Sequence, residues 1–388
     1  MKNLYPHVAI TNASGQKTNY SAASSLVLHQ HQTDTVFNCS TSVSGILASS
    51  GFADIVCRAG SLNGVFKGAT LEMIIANNSA AAVISAQNAT IGPAQALIER
   101  VEILVGSQLV SRHEGYAHLF INDYRHTDQH SATLLRAACD VGANIPATSS
   151  TTVYVPLLHL GFQNHFLGHF GDITFRVWFR GPSAWQTAAT VPTLSSLNLY
   201  VQQDSQDKAE YQALMDRGRS TVLDIRYQRP GYNSFVDSLV ANGRTSYQLS
   251  GVHGLVTSMS ISIRLASATG SALTVFVEPA RIEILDSSGA NIIGGSSIPA
   301  EYARLVKAAS NSSNSFLEAG VLFLDFAAST RATLEHGSLG GYMPFSGSEQ
   351  LVITMPAGLA SASYEVSVHF YAACRLRTIG MQCEVLPS

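Results

Sequence analysis

Histidines are the first residues in the sequence that we consider as candidates for metal binding. Three of them lie close together in the segment LLHLGFQNHFLGHF: His159, His165 and His169. Imidazole is a common ligand of zinc and related metals, so this group is one candidate for a metal site. Asp172 is the only carboxylate nearby and no cysteine is close, which favours the alternative that these histidines cap polar backbone at strand ends. His29 and His31 would share one face of a strand, but two imidazoles alone bind metal weakly.

The carboxylates are scattered along the chain, and the aspartates considered as candidates are Asp34, Asp54, Asp140, Asp172, Asp204, Asp207 and Asp325. A glycoside hydrolase needs two carboxyl groups facing each other across a cleft, and nothing in the sequence marks such a pair. The segment DSQD at 204–207 offers oxygen ligands to Ca²⁺ but lacks the glycine and distal glutamate of an EF-hand loop. P-loop, Rossmann and GxSxG motifs do not occur. We therefore predict no catalytic residue, no metal site and no cofactor.

The composition restricts the classes of partner. Of 388 residues, 46% are hydrophobic and only 13% are charged, with a net charge of −3. The charged share is about half of the usual one, which suggests a surface largely covered by other subunits. The absence of a run of Lys or Arg argues against direct nucleic-acid binding, which needs a basic face. Arg217, Arg219 and Arg226 are interpreted as salt-bridging residues between two domains.

Targeting and redox signals are weak. The N-terminal stretch MKNLYPHVAITNASGQKTNY has no continuous apolar core, so we expect no secretory signal. The stretches free of charged residues contain prolines, asparagines and glutamines, so we expect no membrane span. The five cysteines form no CxxC pair, and we expect reduced, mostly buried thiols in a protein made in a reducing cytosol.

Strand patterns dominate the chain. Apolar and polar residues alternate along Ile173–Phe179, Leu197–Val201, Met259–Leu265 and Tyr364–Phe370. This period of two places one face of each strand in a core and the other face outward. Further predicted strands are Leu71–Ile75, Val101–Val105, Val153–Leu157, Leu273–Val277, Ile282–Leu285, Val321–Phe326 and Leu351–Met355. Many short strands bounded by turn residues indicate β-sandwiches.

Predicted helices are few. They are Glu114–Asp123, Ala132–Cys139, Lys208–Arg217 and Pro299–Ala309, the last with a proline suited to a first helical turn. A domain boundary is predicted at 205–240, because the helix at 208–217 separates two halves of comparable length.

One sequence pattern occurs twice. Residues 100–120 read RVEILVGSQLVSRHEGYAHLF and residues 281–306 read RIEILDSSGANIIGGSSIPAEYARLV. Both begin with a strand pattern, pass through a Gly/Ser turn and end in a predicted helix, so we infer a duplicated β-sandwich domain. The alternative is one large all-β protein whose strands recur by composition. The aromatic and leucine residues shared by the two helices (Tyr116, Leu119, Tyr302 and Leu305) are interpreted as packing on their own sandwich rather than as binding anchors.

Two segments carry a resemblance to a known family. Val101–Phe120 resembles the strand, glycine turn and helix of the double jelly-roll major capsid proteins of icosahedral double-stranded DNA viruses. These viruses include membrane-containing bacteriophages, virophages and large eukaryotic viruses. Val153–Phe179 resembles the same family's proline-bearing and alternating strands. The sequence departs from the family pattern at Val105-Gly-Ser, where the family has Ile-Gly-Gly, and at Pro156, which stands alone.

The resemblance implies an all-β fold of two tandem eight-stranded jelly-roll sandwiches with short inserted helices. It divides the chain into an N-terminal arm (1–34), a first jelly roll (35–220) and a second jelly roll (221–388). It also implies homotrimeric, pseudo-hexagonal capsomers that tile an icosahedral shell without catalysis. The implied partners are neighbouring capsomers, minor capsid or penton proteins and, through the arm, an internal membrane. The implied location is the virion capsid, with host cytoplasm during assembly.

Two other functions stay open from the residues alone. A carbohydrate-binding β-sandwich spike or adhesin would show exposed aromatic platforms, and the chain has only two Trp. An all-β glycoside hydrolase would require a facing carboxylate pair. Oligomeric state, glycan binding and glycan turnover separate the three functions.

Overall fold

The computed structural model of the chain describes residues 8–11, 17–20, 31–39, 41–85, 97–114, 144–157, 168, 171–187, 191–205, 213, 216, 222–269, 272–273, 275–294, 297–302, 320–326, 341–379 and 382–387. Within these residues the chain forms two β-sandwiches in tandem. The paired strands are antiparallel throughout. Among the described residues, no helix has the length and apolar character needed to cross a membrane.

The first sandwich follows an N-terminal hairpin, β1 (Val8–Thr11) and β2 (Lys17–Tyr20). Its strands are β3 (His31–Asn38), β4 (Phe52–Cys57), β5 (Gly64–Asn77), β6 (Val83–Ser85), β7 (Ile98–Val105), β8 (Gln108–Glu114), β9 (Asn144–Ile145), β10 (Ser149–Leu157), β11 (Ile173–Phe179), β12 (Trp185–Thr187) and β13 (Thr193–Ser205). A one-turn helix, α1 (Ile46–Ser49), and two 3-10 turns (Ala59–Ser61 and Gly181–Ala184) lie between them. Two four-stranded sheets result, ordered β10-β5-β13-β3 and β4-β11-β7-β8, beside a small sheet β12-β6-β9.

The second sandwich has the same plan. Its strands are β14 (Val222–Leu239), β15 (Arg244–Gln248), β16 (His253–Leu265), β17 (Arg281–Leu285), β18 (Ile298–Pro299), β19 (Val321–Asp325), β20 (Met343–Ser346), β21 (Gln350–Thr354), β22 (Ala362–Ile379) and β23 (Gln382–Pro387). One sheet runs β19-β16-β22-β14 and is extended by β1 and β2, while β20 pairs with β16 and β23 with β22. The other sheet runs β15-β21-β17-β18.

Both sandwiches are jelly rolls with one strand order. When β6, β9, β12, β20 and β23 are set aside, each sandwich has eight strands in chain order. In both, strands one, eight, three and six form one sheet, and strands two, seven, four and five form the other. The predicted all-β fold of two tandem eight-stranded jelly rolls is therefore confirmed. The repeated pattern that begins at Arg100 and Arg281 falls on the fourth strand of each sandwich, β7 and β17, which supports a duplication.

Two apolar cores hold the sandwiches. Alternation along β11 buries Ile173, Phe175, Val177 and Phe179 in the first core, and Ile261 on β16 is fully buried in the second. Each strand face therefore removes its apolar residues from water, which is the main stabilising contribution. Tyr227, Cys374 and Leu376 join the first core although they lie on β14 and β22. These two 18-residue strands thus extend from the second sandwich across the first.

Several predicted elements differ from the structure. Leu273–Val277 is not a strand, because Val275 N–H donates to Ala272 O and closes a turn there. Glu114 does not begin a helix but ends β8, since a tight turn at Gly106, with φ of 61°, folds the chain back along β7. Pro299 lies in β18, and helical residues occur at 300–302.

Other predictions lie partly or wholly outside the described residues. The helix predicted at Ala132–Cys139 does so entirely, and within Lys208–Arg217 only Ala213 and Asp216 are described, both helical. The division into 1–34, 35–220 and 221–388 stays a prediction. The first sandwich's strands run from His31 to Ser205 and the second's from Val222 onward.

Candidate functional site: the contact between the two sandwiches

The outer face of the sheet β4-β11-β7-β8 carries two rows of polar and aromatic side chains. Cross-strand register aligns Phe52, Trp178, Arg100 and Glu114 in one row and Asp54, Arg176, Glu102 and Arg112 in the next. The Arg176 guanidinium donates two hydrogen bonds to Asp54, at 2.8 and 2.9 Å. Arg100 lies 4.1 Å from the centre of the Trp178 ring, whose Nε1 donates to Glu102 at 2.9 Å. The rows run from solvent at Phe52 to the second sandwich at β8.

The facing surface belongs to the second sandwich. Register on β16, β22 and β14 aligns three rows: Arg264, Glu365 and Val236; Ser262, Ser367 and Ser234; Ser260, His369 and Tyr232. Alternation predicts that this face points away from its own core, and it does. The prediction of an exposed face is nevertheless wrong for Ser260, Ser262, Ser367 and His369, which are 2%, 4%, 2% and 6% exposed. These four residues are buried although they face away from their own core, and the first sandwich packs beside them at β14, whereas Val236 in the same rows is 66% exposed.

Direct bonds join the sandwiches where β8 meets β14. Tyr227 on β14 donates its hydroxyl hydrogen to the Val110 carbonyl on β8 at 3.0 Å. The Arg112 guanidinium lies 5.4 Å from the centre of the Tyr232 ring, within the range of a cation–π interaction. The contact therefore combines these polar interactions with the apolar packing of Tyr227, Cys374 and Leu376 on the first core.

A partly buried ion pair lies on this facing surface of the second sandwich. Arg264 donates from Nε and Nη2 to one carboxylate oxygen of Glu365, at 2.9 and 2.6 Å. The Tyr232 hydroxyl donates to the other oxygen at 3.1 Å. Burial favours the neutral acid, but the charge and hydrogen bonds of Arg264 with the Tyr232 bond outweigh it and lower the pKa of Glu365. Burial also raises the pKa of Tyr232 to about 12.

His369 is held neutral in the same layer. Its ring lies 4.9 Å from that of Tyr232, and its Nε2 has no hydrogen-bond partner within the described chain. Burial, with the positive charges of Arg264, Arg112 and Arg180, lowers the pKa of His369 to about 3. An imidazolium here would lack water and a counterion.

On the first sandwich, Glu114 accepts a 2.6 Å hydrogen bond from Arg112. Burial raises the pKa of Glu114 by more than the charge and hydrogen bond of Arg112 lower it. We name the set Arg112, Glu114, Arg180, Tyr232, Arg264, Glu365 and His369 the inter-sandwich layer. Arg112 pairs with Glu114 within the first sandwich and Arg264 with Glu365 within the second. The Arg112–Tyr232 contact crosses from one sandwich to the other.

The sequence-predicted metal candidates are not assembled by the described residues. His29, His159, His165 and His169 lie outside them, and His31 begins β3. The part of the chain that the structure describes contains no group of three or more His, Cys, Asp or Glu that could hold a metal ion.

The described candidate carboxylates are mostly paired with basic side chains. Asp54 binds Arg176, Asp204 lies 2.9 Å from Lys67, and Asp172 lies 2.6 Å from Arg58. Asp172 also accepts from Ala59 N–H at 2.9 Å, and this bond with that of Arg58 lowers its pKa. Asp34 is exposed on β3 and Asp325 ends β19, while Asp140 and Asp207 lie outside the described residues.

The remaining predicted residues have mixed outcomes. Arg217, Arg219, Tyr116, Leu119 and Leu305 lie outside the described residues, and Arg226 lies on β14 opposite Arg375. Tyr302 is 49% exposed, so its predicted packing on its own sandwich is not observed. Cys57 and Cys374 are buried free thiols, and burial raises the pKa of each.

Sequence reasoning missed the inter-sandwich layer. Its one visible signal was polar residues at alternate positions of strands that were already predicted, Ser260 to Arg264 and Glu365 to His369. That signal is ambiguous because a solvent-exposed sheet face has the same pattern.

The fold has clear counterparts among solved structures. The quasi-atomic model of the PBCV-1 virus capsid matches with a TM-score of 0.70 at 10% identity, covering 93% of this chain and 98% of that one. The Faustovirus major capsid protein matches with a TM-score of 0.61 at 11% identity, covering 92% and 90%. The atomic structure of Sulfolobus Turreted Icosahedral Virus matches with a TM-score of 0.51 at 13% identity, covering 89% and 91%.

No protein-family model matches the chain, and no curated protein matches its sequence. At identities this low the structural likeness establishes the fold. The resemblance to the double jelly-roll capsid proteins is thereby confirmed at the level of architecture, over nearly the whole length of this chain and of the matched chains.

Proposed function

We propose that this protein is a viral structural protein, a major capsid protein that forms homotrimeric, pseudo-hexagonal capsomers tiling an icosahedral shell. The single observation that carries the proposal is the architecture. Two jelly rolls of identical strand order are fixed side by side in one chain, as in a fold whose solved examples include a virus capsid and a major capsid protein.

The inter-sandwich layer supports this role. A shell subunit must hold its two halves in one orientation so that surfaces on both halves can meet neighbouring copies together. The Tyr227–Val110 hydrogen bond and the Arg112–Tyr232 contact both cross between the halves, and each is made in one relative orientation of the two. Three copies of two like sandwiches would give six similar bodies around a ring, which matches a pseudo-hexagonal outline.

The composition agrees with extensive contacts between subunits. Only 13% of the residues are charged, and permanent interfaces are more apolar than transient ones. The proposed partners are neighbouring capsomers and minor capsid or penton proteins, with residues 1–34 as an arm toward an internal membrane. The proposed division into rolls is 35–220 and 221–388, and the proposed location is the virion capsid, with assembly in the host cytoplasm.

The proposed role needs no catalysis and no cofactor. The described candidate carboxylates Asp54, Asp172 and Asp204 form ion pairs with arginine or lysine side chains. Such pairing suits structural rather than general acid–base roles. The charges of the inter-sandwich layer are likewise paired or buried.

Negative-stain electron microscopy of the purified chain tests the proposal. We expect compact blocks with a pseudo-sixfold outline, and sheets or shells of such blocks at high concentration. Single two-lobed particles at every concentration would contradict it. In that case a glycan array would test the carbohydrate-binding spike or adhesin instead.

A further inference from the structure

We propose that a second copy of this chain docks head to tail through two surfaces left over by the contact within the chain. The first strand of the first sandwich, β3, would pack against the fifth strand of the second sandwich, β18, of another copy. This inference rests on the proposed function and names the surfaces that would build the capsomer.

The contact within the chain is asymmetric. That contact joins β8, the fifth strand of the first sandwich, to β14, the first strand of the second sandwich. It therefore uses different surfaces of two bodies that share one strand order. A contact of this heterologous kind repeats from body to body and closes a ring when the rotation permits.

If the same kind of contact repeats between copies, the two surfaces that would form it are β3 of one copy and β18 of the next. β3 pairs with β13 and packs beside β4 of its own sandwich, and β18 pairs with β17 of its own sandwich. They are the topological counterparts of β14 and β8. A second copy is therefore the occupant that the arrangement itself specifies.

Both surfaces expose large apolar side chains. Val36 on β3 is 46% exposed, and Tyr302, just beyond β18, is 49% exposed. Tyrosine is enriched among the residues that anchor protein interfaces. Tyr302 thus takes the anchoring role that the sequence left as the alternative to packing.

The charges at the two surfaces are complementary. Asp34 is exposed on β3 and shares a face with Val36, since it lies two residues away. Arg281 is exposed on β17, opposite Pro299 of β18, and donates to Ser297 at 2.7 Å. An acidic and apolar strip would thus meet a basic and aromatic strip, as Arg112 meets Tyr232 inside the chain.

The test is the concentration at which the full-length assembly dissociates, measured by sedimentation velocity. We expect Val36→Arg and Tyr302→Ala each to raise that concentration about tenfold or more. Matched controls are Val240→Arg and Tyr342→Ala, at side chains that are 50% and 49% exposed on other parts of the surface. The controls are expected to stay within about threefold of the wild type, and all four variants to melt within a few degrees of it by circular dichroism.

A charge-reversal cycle gives a second, independent measurement. Asp34→Arg and Arg281→Asp should each weaken assembly, and the double variant should recover most of the loss, because the pair is restored with opposite sign. Additive losses in the double variant would overturn the pairing. A trimer that persists unchanged in the Val36 and Tyr302 variants would overturn the docking surfaces but leave the capsomer proposal standing. A wild-type chain that is monomeric at every concentration would overturn both.

Discussion

The interior of each sandwich and the layer between the sandwiches are both buried, but they are built from opposite chemistry. Phe175 and Ile261, which are 1% and 0% exposed, are examples of the apolar side chains that fill the two interiors. The inter-sandwich layer instead contains a partly buried arginine–glutamate pair and a buried, neutral histidine. Apolar packing is non-directional and stabilises each jelly roll by itself. The ion pairs of the layer each lie within one sandwich, whereas the contacts that cross it, Tyr227 to Val110 and Arg112 to Tyr232, depend on direction and relate the two bodies.

The two sandwiches also differ where they meet. β8 is a seven-residue strand closed by a tight turn, whereas its counterpart β18 has two residues. β14 and β22 are 18 residues long and reach the first core, and their counterparts β3 and β13 have 8 and 13. One duplicated plan has thus acquired unequal edges, and those edges form the contact within the chain.

The largest effect should come from the interior. Phe175→Ala is expected to lower the free energy of unfolding by about 3–5 kcal/mol, because it removes buried apolar area and leaves a cavity. Phe52→Ala, at a ring 44% exposed on the same sandwich, should cost about 1 kcal/mol. Urea denaturation measures both. Equal losses would contradict the assignment of Phe175 to the core.

Removing one partner of the Arg264–Glu365 ion pair should destabilise the protein more than removing both partners. Glu365→Leu leaves the Arg264 cation, whose side chain is 11% exposed, without its partner, and should cost about 3 kcal/mol or more. The double variant Arg264→Met, Glu365→Leu should recover most of that loss. As a control, Arg58→Ala removes a pair with 73% and 43% exposed side chains and should cost less than about 1 kcal/mol. A double variant as unstable as the single one would refute a specific pair.

Acid should lower the stability of the folded chain through the titration of His369. The pKa of His369 falls from its ordinary 6.5 to about 3 on folding, so between these values the unfolded chain binds a proton that the folded chain does not. The free energy of unfolding should therefore decrease as the pH falls, by about 2 kcal/mol from pH 6.5 to 4.5. The lowered pKa of Glu365 acts in the same direction at lower pH, and the raised pKa of Glu114 opposes it.

Urea titrations at pH 7 and 4.5 measure this slope. His369→Gln should flatten it, and the control His253→Gln, at an exposed histidine, should not. If His369→Gln keeps the wild-type slope, the imidazole is not buried between the charges described.

The smallest effect should come from a single hydrogen bond across the contact. Tyr227→Phe removes the donor to the Val110 carbonyl and should cost about 1 kcal/mol. The same change at Tyr154, which is 40% exposed, should cost less than about 0.5 kcal/mol. Differential scanning calorimetry resolves the difference. A larger loss of stability at Tyr154 than at Tyr227 would contradict a stabilising role for the Tyr227–Val110 hydrogen bond.

Strands with clear alternation could be predicted from sequence because local pattern and tertiary burial agree. Ile173–Phe179 is the example, and the repeat at Arg100 and Arg281 correctly indicated topologically equivalent strands. β14 was not predicted, because Pro230-Gly231 in its middle indicates a turn. In the structure a Cβ at Gly231 would overlap the Phe370 ring, so the glycine serves close packing within a strand.

The inter-sandwich layer could not be predicted for a different reason. Arg264 and Glu365 are separated by 101 residues in sequence and become neighbours only when β16 and β22 pair. Ser260 and Ser367 look like residues of a solvent-facing row, since local pattern does not report that a second sandwich covers them. Their burial is a property of the tertiary arrangement.

The most direct test of the central claim is the mass of the full-length chain in solution by multi-angle light scattering. The account predicts a stable species of three times the 41.3 kDa chain mass at micromolar concentration and physiological salt. A monodisperse species of one chain mass under those conditions would contradict the claim that the two jelly rolls are halves of a capsomer subunit.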